Sequence, residues 1–75
     1  MSSSEEQRWV ALRADVDALA AAPAGIDTVL AGLPQWDSLA VLLVITHAEQ
    51  AHGRTLTGAQ VRACRTGRDL VALLS

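Results

Sequence analysis

Few residues of this 75-residue chain have side chains that could do chemistry. They are two histidines, one cysteine, a group of arginines, and a serine that follows an aspartate at the start of an apolar segment. His47 and His52 are five positions apart, which places their side chains about 140° apart around a helix. Two imidazoles that face apart cannot bind one metal ion as an i, i+4 pair does. We therefore expect no metal site.

The single cysteine, Cys64, excludes an internal disulfide and a cysteine-rich zinc site, and it favours a reducing compartment. No histidine is near it in sequence, so we interpret Cys64 as a small core residue rather than a nucleophile. The longest apolar run, 39–45, is far shorter than the roughly 18 residues of a membrane span. Glu5 and Glu6 stand where a signal peptide would be positively charged. We expect a cytoplasmic protein without membrane contact.

The charges are distributed unevenly along the chain. Residues 1–50 contain two arginines and seven acidic residues, whereas residues 51–75 contain one acidic residue and four arginines, namely Arg54, Arg62, Arg65 and Arg68. A basic cluster of this kind could bind the phosphates of a nucleic acid. Only 3% of the residues are aromatic, which argues against base stacking. We interpret the arginines as a solvated surface that balances the acidic first half.

Helices must position these residues, because helix caps and helical apolar spacing recur along the chain and strand-like alternation does not. A capping box of Ser4 and Gln7 predicts that the first helix begins at Ser4 and runs to Ala22. Pro23 and Gly25 then end it. One stripe of large apolar residues follows this helix, namely Trp9, Leu12, Val16 and Leu19.

Three more helices are predicted after a long loop. Asp37 is a good N-cap for a helix from Ser38 to about Ala51, and Gly53 ends that helix. Two further capping boxes, Thr57 with Gln60 and Thr66 with Asp69, open a short helix to about Cys64 and a last helix to Leu74. The loop, 24–36, has too many apolar residues to lie in water, and we expect it to pack on the helices through Ile26, Val29, Leu30 and Leu33. The predicted fold is all-α: a four-helix bundle with a long first loop and a short third helix, as one domain over 1–75.

The second predicted helix has apolar residues on two faces. One arc is a core face, formed by Val41, Val44, Ile45, Ala48 and His52. The opposite, polar side contains Thr46, His47, Glu49 and Gln50. Three leucines lie on this polar side together with Ser38, namely Leu39, Leu42 and Leu43. Either neighbouring segments cover these leucines, or they form a docking surface or a cavity for an apolar ligand.

The tetrapeptide Trp36-Asp37-Ser38-Leu39 at the start of this helix resembles the attachment motif of acyl carrier proteins. The similarity extends through the following helix, the turn 53–57, the short third helix and Thr66-Gly67-Arg68-Asp69-Leu70, which is nearly half of the chain. The resemblance implies the carrier-protein fold, with 4′-phosphopantetheine attached covalently to Ser38. It also implies no catalysis by the chain itself, because the modifying transferase supplies the base and the metal ion.

The resemblance further implies partners. These are a phosphopantetheinyl transferase, a loading adenylating enzyme or acyltransferase, and downstream synthase enzymes, and the carrier itself would be a monomer. Asp37 would cap the helix and present Ser38, and the surface that partners contact would comprise Trp36, Asp37, Leu39, Leu42 and Leu43. The chain has almost no linker at its ends. We expect a discrete carrier of acyl or aminoacyl thioesters in polyketide, nonribosomal-peptide or related antibiotic biosynthesis.

The sequence departs from the family pattern at three positions. Leu43 stands where an acidic residue is common, so we expect partners to bind mainly through apolar contact. His52 stands where relatives have a large apolar residue, and we expect it to be half-buried and bonded to a backbone group. Gly67 replaces an apolar residue, which predicts a looser core.

Two alternatives remain open. The chain could be an unmodified interaction module, such as an adaptor or an antitoxin, or a weak nucleic-acid binder. The residues do not identify the cargo, and they do not decide whether the arginines contact the phosphopantetheine arm or an acidic partner.

Overall fold

A computed structural model of the protein describes residues 4–20 and 25–74. Within these ranges the chain forms five α-helices: α1 (Ser4–Asp15), α2 (Asp17–Ala20), α3 (Ser38–His52), α4 (Gly58–Arg62) and α5 (Gly67–Leu74). A 3-10 turn, Leu30–Gly32, lies in the long loop, and the described residues include no β-strand, only an isolated bridge. The predicted all-α class is confirmed. None of these helices has the length and apolar character needed to cross a membrane.

The structure divides the predicted first helix in two at Val16. The Val16 N–H donates to the Leu12 carbonyl at 3.1 Å, and the Val16 carbonyl accepts from the N–H groups of Leu19 and Ala20. Hydrogen bonding therefore continues across the interruption, but the described helices number five rather than the predicted four. Ser4 is the first described residue of α1, and the residues before it lie outside the described part of the chain, so the predicted cap at Ser4 stays a prediction. The predicted end of this helix, 21–22, also lies outside the described residues.

The core lies between α1, α3 and α5. α1 packs against both α3 and α5, and α4 packs against α3. Among the described residues, the eight largest fully buried side chains come from all five helices, the α1–α2 junction and the loop: Leu12, Val16, Leu19, Leu30, Val44, Val61, Leu70 and Val71. Burial of each such side chain contributes about 1.5–3 kcal/mol, so this cluster fixes the position of α3 relative to the other helices.

Gly67 is buried beneath the indole ring of Trp9. A Cβ atom at position 67 would lie 2.6 Å from Cζ3 of Trp9 and 2.8 Å from the carbonyl oxygen of Ile26. Real Cβ atoms do not approach other atoms so closely, so the ring occupies the space that a larger residue 67 would fill. The prediction that the core is loosely packed at Gly67 is therefore wrong.

Backbone hydrogen bonds hold the long loop against the start of α5. The Leu30 N–H donates to the Arg65 carbonyl at 2.8 Å, and the Gly67 N–H donates to the Thr28 carbonyl at 3.2 Å. These bonds flank the isolated bridge between Val29 and Thr66. Leu30 is buried as predicted, but Val29 is 60% exposed, because its backbone makes the contact and leaves the side chain outside.

Arg68 adds side-chain contacts to the same region. Its guanidinium donates to Glu5 Oε1 at 2.7 Å and to Asp27 Oδ1 at 3.0 Å. The hydrogen bond from Arg68 lowers the pKa of Asp27. Arg68 thus links α1, the loop and α5, which supports the interpretation that it balances the acidic first half.

Candidate functional site

Ser38 is the first residue of α3, and Asp37 caps this helix. Asp37 has an extended backbone, and its Oδ1 accepts the N–H of Ala40 at 3.1 Å. The other end of α3 is closed by Gly53, whose φ of 63° is the left-handed conformation that glycine adopts most easily. Both predicted caps of α3 are confirmed. The Ser38 side chain is therefore held at the N-terminus of a fixed 15-residue helix.

The surroundings of Ser38 suit a modified hydroxyl rather than a nucleophile with its own base. Ser38 is exposed, and the N–H groups of Ser38 and Leu39 precede the first intrahelical hydrogen bond, so they are free to face an anionic group. Both histidines lie on α3 at least nine positions away, which is about 13 Å along the helix axis. The arrangement offers an accessible hydroxyl beside N–H donors, with no imidazole within reach.

Apolar side chains surround the exposed face of α3 next to Ser38. Leu39 is 62% exposed and Leu42 is 56% exposed, and we call these two residues the leucine patch. Leu43 and Trp36 are half-buried and pack against the core. Of the two alternatives for the three leucines, exposure applies to Leu39 and Leu42, whereas the core partly covers Leu43.

A hollow of about 220 Å³ adjoins the leucine patch. Leu39 and Leu43 line it from α3, Ala18 lines it from α2, and Gln35 lines it from the loop. Its position beside Asp37 gives the start of α3 a concave, partly apolar edge. The structure thus has this hollow and two exposed leucines beside the start of α3.

Trp36 lines a larger hollow of about 550 Å³. Val29, Ala31 and Trp36 form its loop wall, and Arg62 and Arg65 lie on its opposite wall at the end of α4. We call it the loop–α4 hollow. Trp36 is two residues before Ser38 in the sequence, but Ser38 itself does not line this hollow.

Cys64 also lines the loop–α4 hollow but is not an activated nucleophile. It is half-buried, and its Sγ donates to the Gln60 carbonyl at 3.5 Å. Burial raises the pKa of the Cys64 thiol, and the nearby Asp69 carboxylate raises it further. The thiol therefore stays protonated at neutral pH, as the interpretation of Cys64 as a packing residue requires.

The four arginines of the second half do not form one surface. Arg54 lines a separate hollow with His52 at the C-terminal end of α3, whereas Arg62 and Arg65 lie in the loop–α4 hollow. Arg68 is engaged by Glu5 and Asp27. Because the four arginines lie in different parts of the structure, their placement does not support a single shared role.

His47 is a buried residue that the helical pattern placed on the solvent side. It is 3% exposed, and its Nδ1 lies 2.6 Å from Oδ2 of Asp15 at the end of α1. The predicted position was wrong because Asp15, from another helix, gives the imidazole a polar partner inside the α1–α3 contact. No pattern within α3 indicates this partner.

His52 lies next to His47, with 5.5 Å between the ring centroids, although the 140° spacing predicted that the two rings face apart. His52 is half-buried, as predicted, but the Nε2 atoms of both rings are buried without a hydrogen-bond partner, so Nε2 of His52 does not make the predicted backbone bond. Burial lowers the pKa of His52, and His47 and Arg8 lower it further. No three ligand-type side chains converge on a metal position within 4–20 and 25–74.

No family model, no curated protein and no solved structure matches this chain significantly. Its function must therefore be argued from the site at the start of α3 and from the sequence motif that surrounds Ser38.

Proposed function

We propose that this chain is a discrete carrier protein of the acyl-carrier type, with 4′-phosphopantetheine attached to Ser38. The observation that supports this most strongly is the exposed Ser38 hydroxyl at the capped start of α3, within the motif Trp36-Asp37-Ser38-Leu39. When bound, the prosthetic group supplies a terminal thiol that holds an acyl or aminoacyl cargo as a thioester. The chain would thereby bring that cargo to several enzymes in turn.

The residues at the start of α3 fit this group. In the modification, an Oγ–P bond forms at Ser38, the pyrophosphate bond of coenzyme A breaks, and adenosine bisphosphate leaves. The Ser38 proton passes to a base on the transferase, since no imidazole of this chain is within reach. The phosphodiester that results is anionic and would lie at the positive end of the α3 dipole, next to the free N–H groups of Ser38 and Leu39.

Partners would bind to the leucine patch. Leu39 and Leu42 are exposed beside Ser38, and α3 has no acidic residue in its first turn. A phosphopantetheinyl transferase, a loading adenylating enzyme or acyltransferase, and later synthase enzymes would therefore meet a mainly apolar surface. This pattern suits a cytoplasmic carrier of polyketide, nonribosomal-peptide or related specialised biosynthesis.

Intact-protein mass spectrometry tests the proposal. Incubation with a broad-range phosphopantetheinyl transferase and coenzyme A should add the mass of one phosphopantetheine group. Ser38→Ala should abolish this gain. Thr55→Ala, which removes another exposed hydroxyl on a loop, should retain it. A wild-type chain that stays unmodified while a known carrier in the same tube is modified would refute the proposal.

A second candidate is an interaction module that uses the leucine patch without modification. The exposure of Leu39 and Leu42 favours it over a nucleic-acid binder, because Arg68 is already engaged by two carboxylates. The same experiment separates the two candidates. A folded chain that gains no mass, yet binds a protein partner and loses that binding in Leu42→Glu, would be such a module.

A further inference from the structure

We propose that the chain binds a phosphate monoester at the end of α3 opposite Ser38, with the phosphate between Arg8, His52 and Arg54. The site does not depend on the modification of Ser38, because His52 lies about 21 Å from Ser38 along the axis of α3. The inference adds a small-molecule ligand at a part of the structure that the proposed function does not use.

Two hollows meet at His52. The first, which we call the α3–α5 hollow, has a volume of about 620 Å³ and extends from the turn after α3 to Ala72 and Leu73 on α5. The second, the α1–α3 hollow, has a volume of about 350 Å³ and lies between Arg8 on α1 and Ala51 on α3. Because His52 lines both hollows, a ligand beside its ring can contact both at once.

The two hollows are lined by basic and neutral side chains. Arg8 lines the α1–α3 hollow together with Ser4 and Gln7, and Arg54 lines the α3–α5 hollow. Among the described residues that line either hollow, none is acidic. Neither guanidinium group forms an ion pair within 4–20 and 25–74, so both are available to an anion.

Arg8 and Arg54 come from different segments of the chain but act on the same imidazole. Burial lowers the pKa of His52, and the charges of His47, Arg8 and Arg54 lower it further. Both guanidinium groups are therefore near enough to His52 to repel a proton on its ring. This arrangement disfavours a bound metal cation, whereas Arg8, Arg54 and a protonated His52 all attract an anion.

The protein supplies no carboxylate as a counterion for His52. Oδ2 of Asp15 lies 2.6 Å from Nδ1 of His47, and Oε1 of Glu5 accepts a hydrogen bond from Arg68. The other acidic residues of α1, α3 and α5 line neither hollow, namely Glu6, Glu49 and Asp69. Nε2 of His52 is buried without a hydrogen-bond partner among the described residues. A counterion for protonated His52 must therefore come from solution.

The lining of the α3–α5 hollow indicates the class of anion. Two guanidinium groups and an imidazole match a doubly charged oxyanion better than a single carboxylate, because each can bond to a different oxygen. Leu56, Ala72 and Leu73 add apolar surface to the same hollow as Arg54. A phosphate that carries an organic group would place this group against these side chains. The ligand is therefore a phosphate monoester with a compact apolar body.

Titration with phenyl phosphate, followed in ¹H–¹⁵N spectra at about pH 7.5, tests the site. The phosphate of such an ester is mostly doubly charged at this pH. We expect saturable shifts of the backbone signals of Arg8, His52 and 54–56. Inorganic phosphate should bind more weakly because it lacks the apolar body, and phenol should not bind. Shifts that do not saturate, or an affinity for inorganic phosphate or phenol equal to that for the ester, would overturn the inference.

Variants identify the groups responsible. Arg8→Gln and Arg54→Gln should each weaken the binding of phenyl phosphate roughly tenfold, because each removes a charge-assisted hydrogen bond. Arg62→Gln is the matched control and should bind as the wild-type chain does, since Arg62 lines the loop–α4 hollow. The signals outside the two hollows report whether each variant keeps the fold. Equal affinities for the three variants would contradict the assignment of the phosphate to Arg8 and Arg54.

A second measurement needs no variant. An anion beside protonated His52 should raise the pKa of its imidazole, because it stabilises the charged form. Sulfate is the probe, since its charge is constant over the titration range of histidine, and the Cε1–H signal of His52 is followed in sulfate and in chloride of equal ionic strength. An equal pKa in the two salts would overturn the site. Ser38 takes no part in these measurements, so their failure leaves the proposed function standing, and an unmodified Ser38 leaves this site standing.

Discussion

The six-membered ring of Trp9 lies against the backbone of Gly67, so that a Cβ atom there would stand 2.6 Å from Cζ3. This contact joins α1 to the first turn of α5. The carbonyl oxygen of Ile26 would lie 2.8 Å from the same Cβ atom. The long loop therefore meets both helices at this point. The absence of a side chain at residue 67 is thus what allows α1, α5 and the loop to pack together.

Replacement of Gly67 by alanine should destabilise the protein by about 1–3 kcal/mol, because the added methyl group must displace the Trp9 ring and the Ile26 carbonyl. Urea unfolding followed by circular dichroism would measure the free energy of unfolding. Gly32→Ala is the matched control, since a Cβ at Gly32 has nothing within 4 Å. Equal midpoints for the two variants would show that the Trp9 contact is not tight.

Asp15→Ala should destabilise the protein by about 1–2 kcal/mol, because it leaves Nδ1 of the buried His47 without its partner. Asp15→Asn should cost less, since its amide oxygen can still accept a hydrogen bond from Nδ1–H. Asp17→Ala, an exposed aspartate two residues away, should change the free energy by less than about 0.5 kcal/mol. Were the Asp15 and Asp17 variants equally stable in urea unfolding, the His47 contact would contribute nothing.

The stability of the protein should fall as the pH drops below 6.5, the ordinary pKa of histidine. Burial lowers the pKa of His52 in the folded state, so in this pH range His52 binds a proton more readily in the unfolded chain than in the folded chain. The free energy of unfolding should be highest above pH 6.5 and decrease toward about pH 5, before most carboxylates titrate. Urea midpoints across this range should show a shallower slope in His52→Gln, and an unchanged slope would show that His52 is not the group responsible.

Leu42→Glu should weaken transferase binding about tenfold, as loss of a central apolar contact does, without altering the fold. Affinity of the wild-type chain should change little with salt, because α3 presents few charges to a partner. KM for the carrier in the modification reaction is the measurement. Val10→Glu is the control, since Val10 is 63% exposed but lies on α1. Equal effects of the two variants would remove the leucine patch from the interface.

Local signals in the sequence predicted most element boundaries. Asp37, Gly53 and the box of Thr57 with Gln60 act as caps in the structure at the positions where the sequence indicates them. Thr66 and Asp69 likewise bond to each other's backbone N–H groups. Caps are predictable because both partners lie within four residues of one another, so no knowledge of the tertiary fold is needed.

Contacts between distant segments were not predictable in this way. The burial of His47 depends on Asp15, which is 32 residues away, and the exposure of Val29 depends on its backbone pairing with Thr66. Helical periodicity describes one helix at a time, so it assigned His47 to solvent. The close packing at Gly67 depends on where Trp9 lies in the folded chain. A pattern of small and large residues along the sequence does not give that position.

Part of the candidate site was predictable from local sequence, and part of it depends on contacts between distant segments. The exposed Ser38 and its cap follow from the local sequence, whereas the sequence left open whether Leu39 and Leu42 are covered. The loop–α4 hollow does not, because its walls come from segments about 30 residues apart that are joined by backbone bonds. Sequence reasoning found the arginines but not the surface that they share with Trp36.

The pairing of residues 28–30 with residues 65–67 sets an order of events during synthesis. A ribosome that has completed α3 has not yet made the residues that hold the segment before Ser38. The Ser38 hydroxyl, which we propose as the acceptor, therefore reaches its native setting only after residue 67 has been made, and the proposed transferase would have to wait until the start of α5 is available.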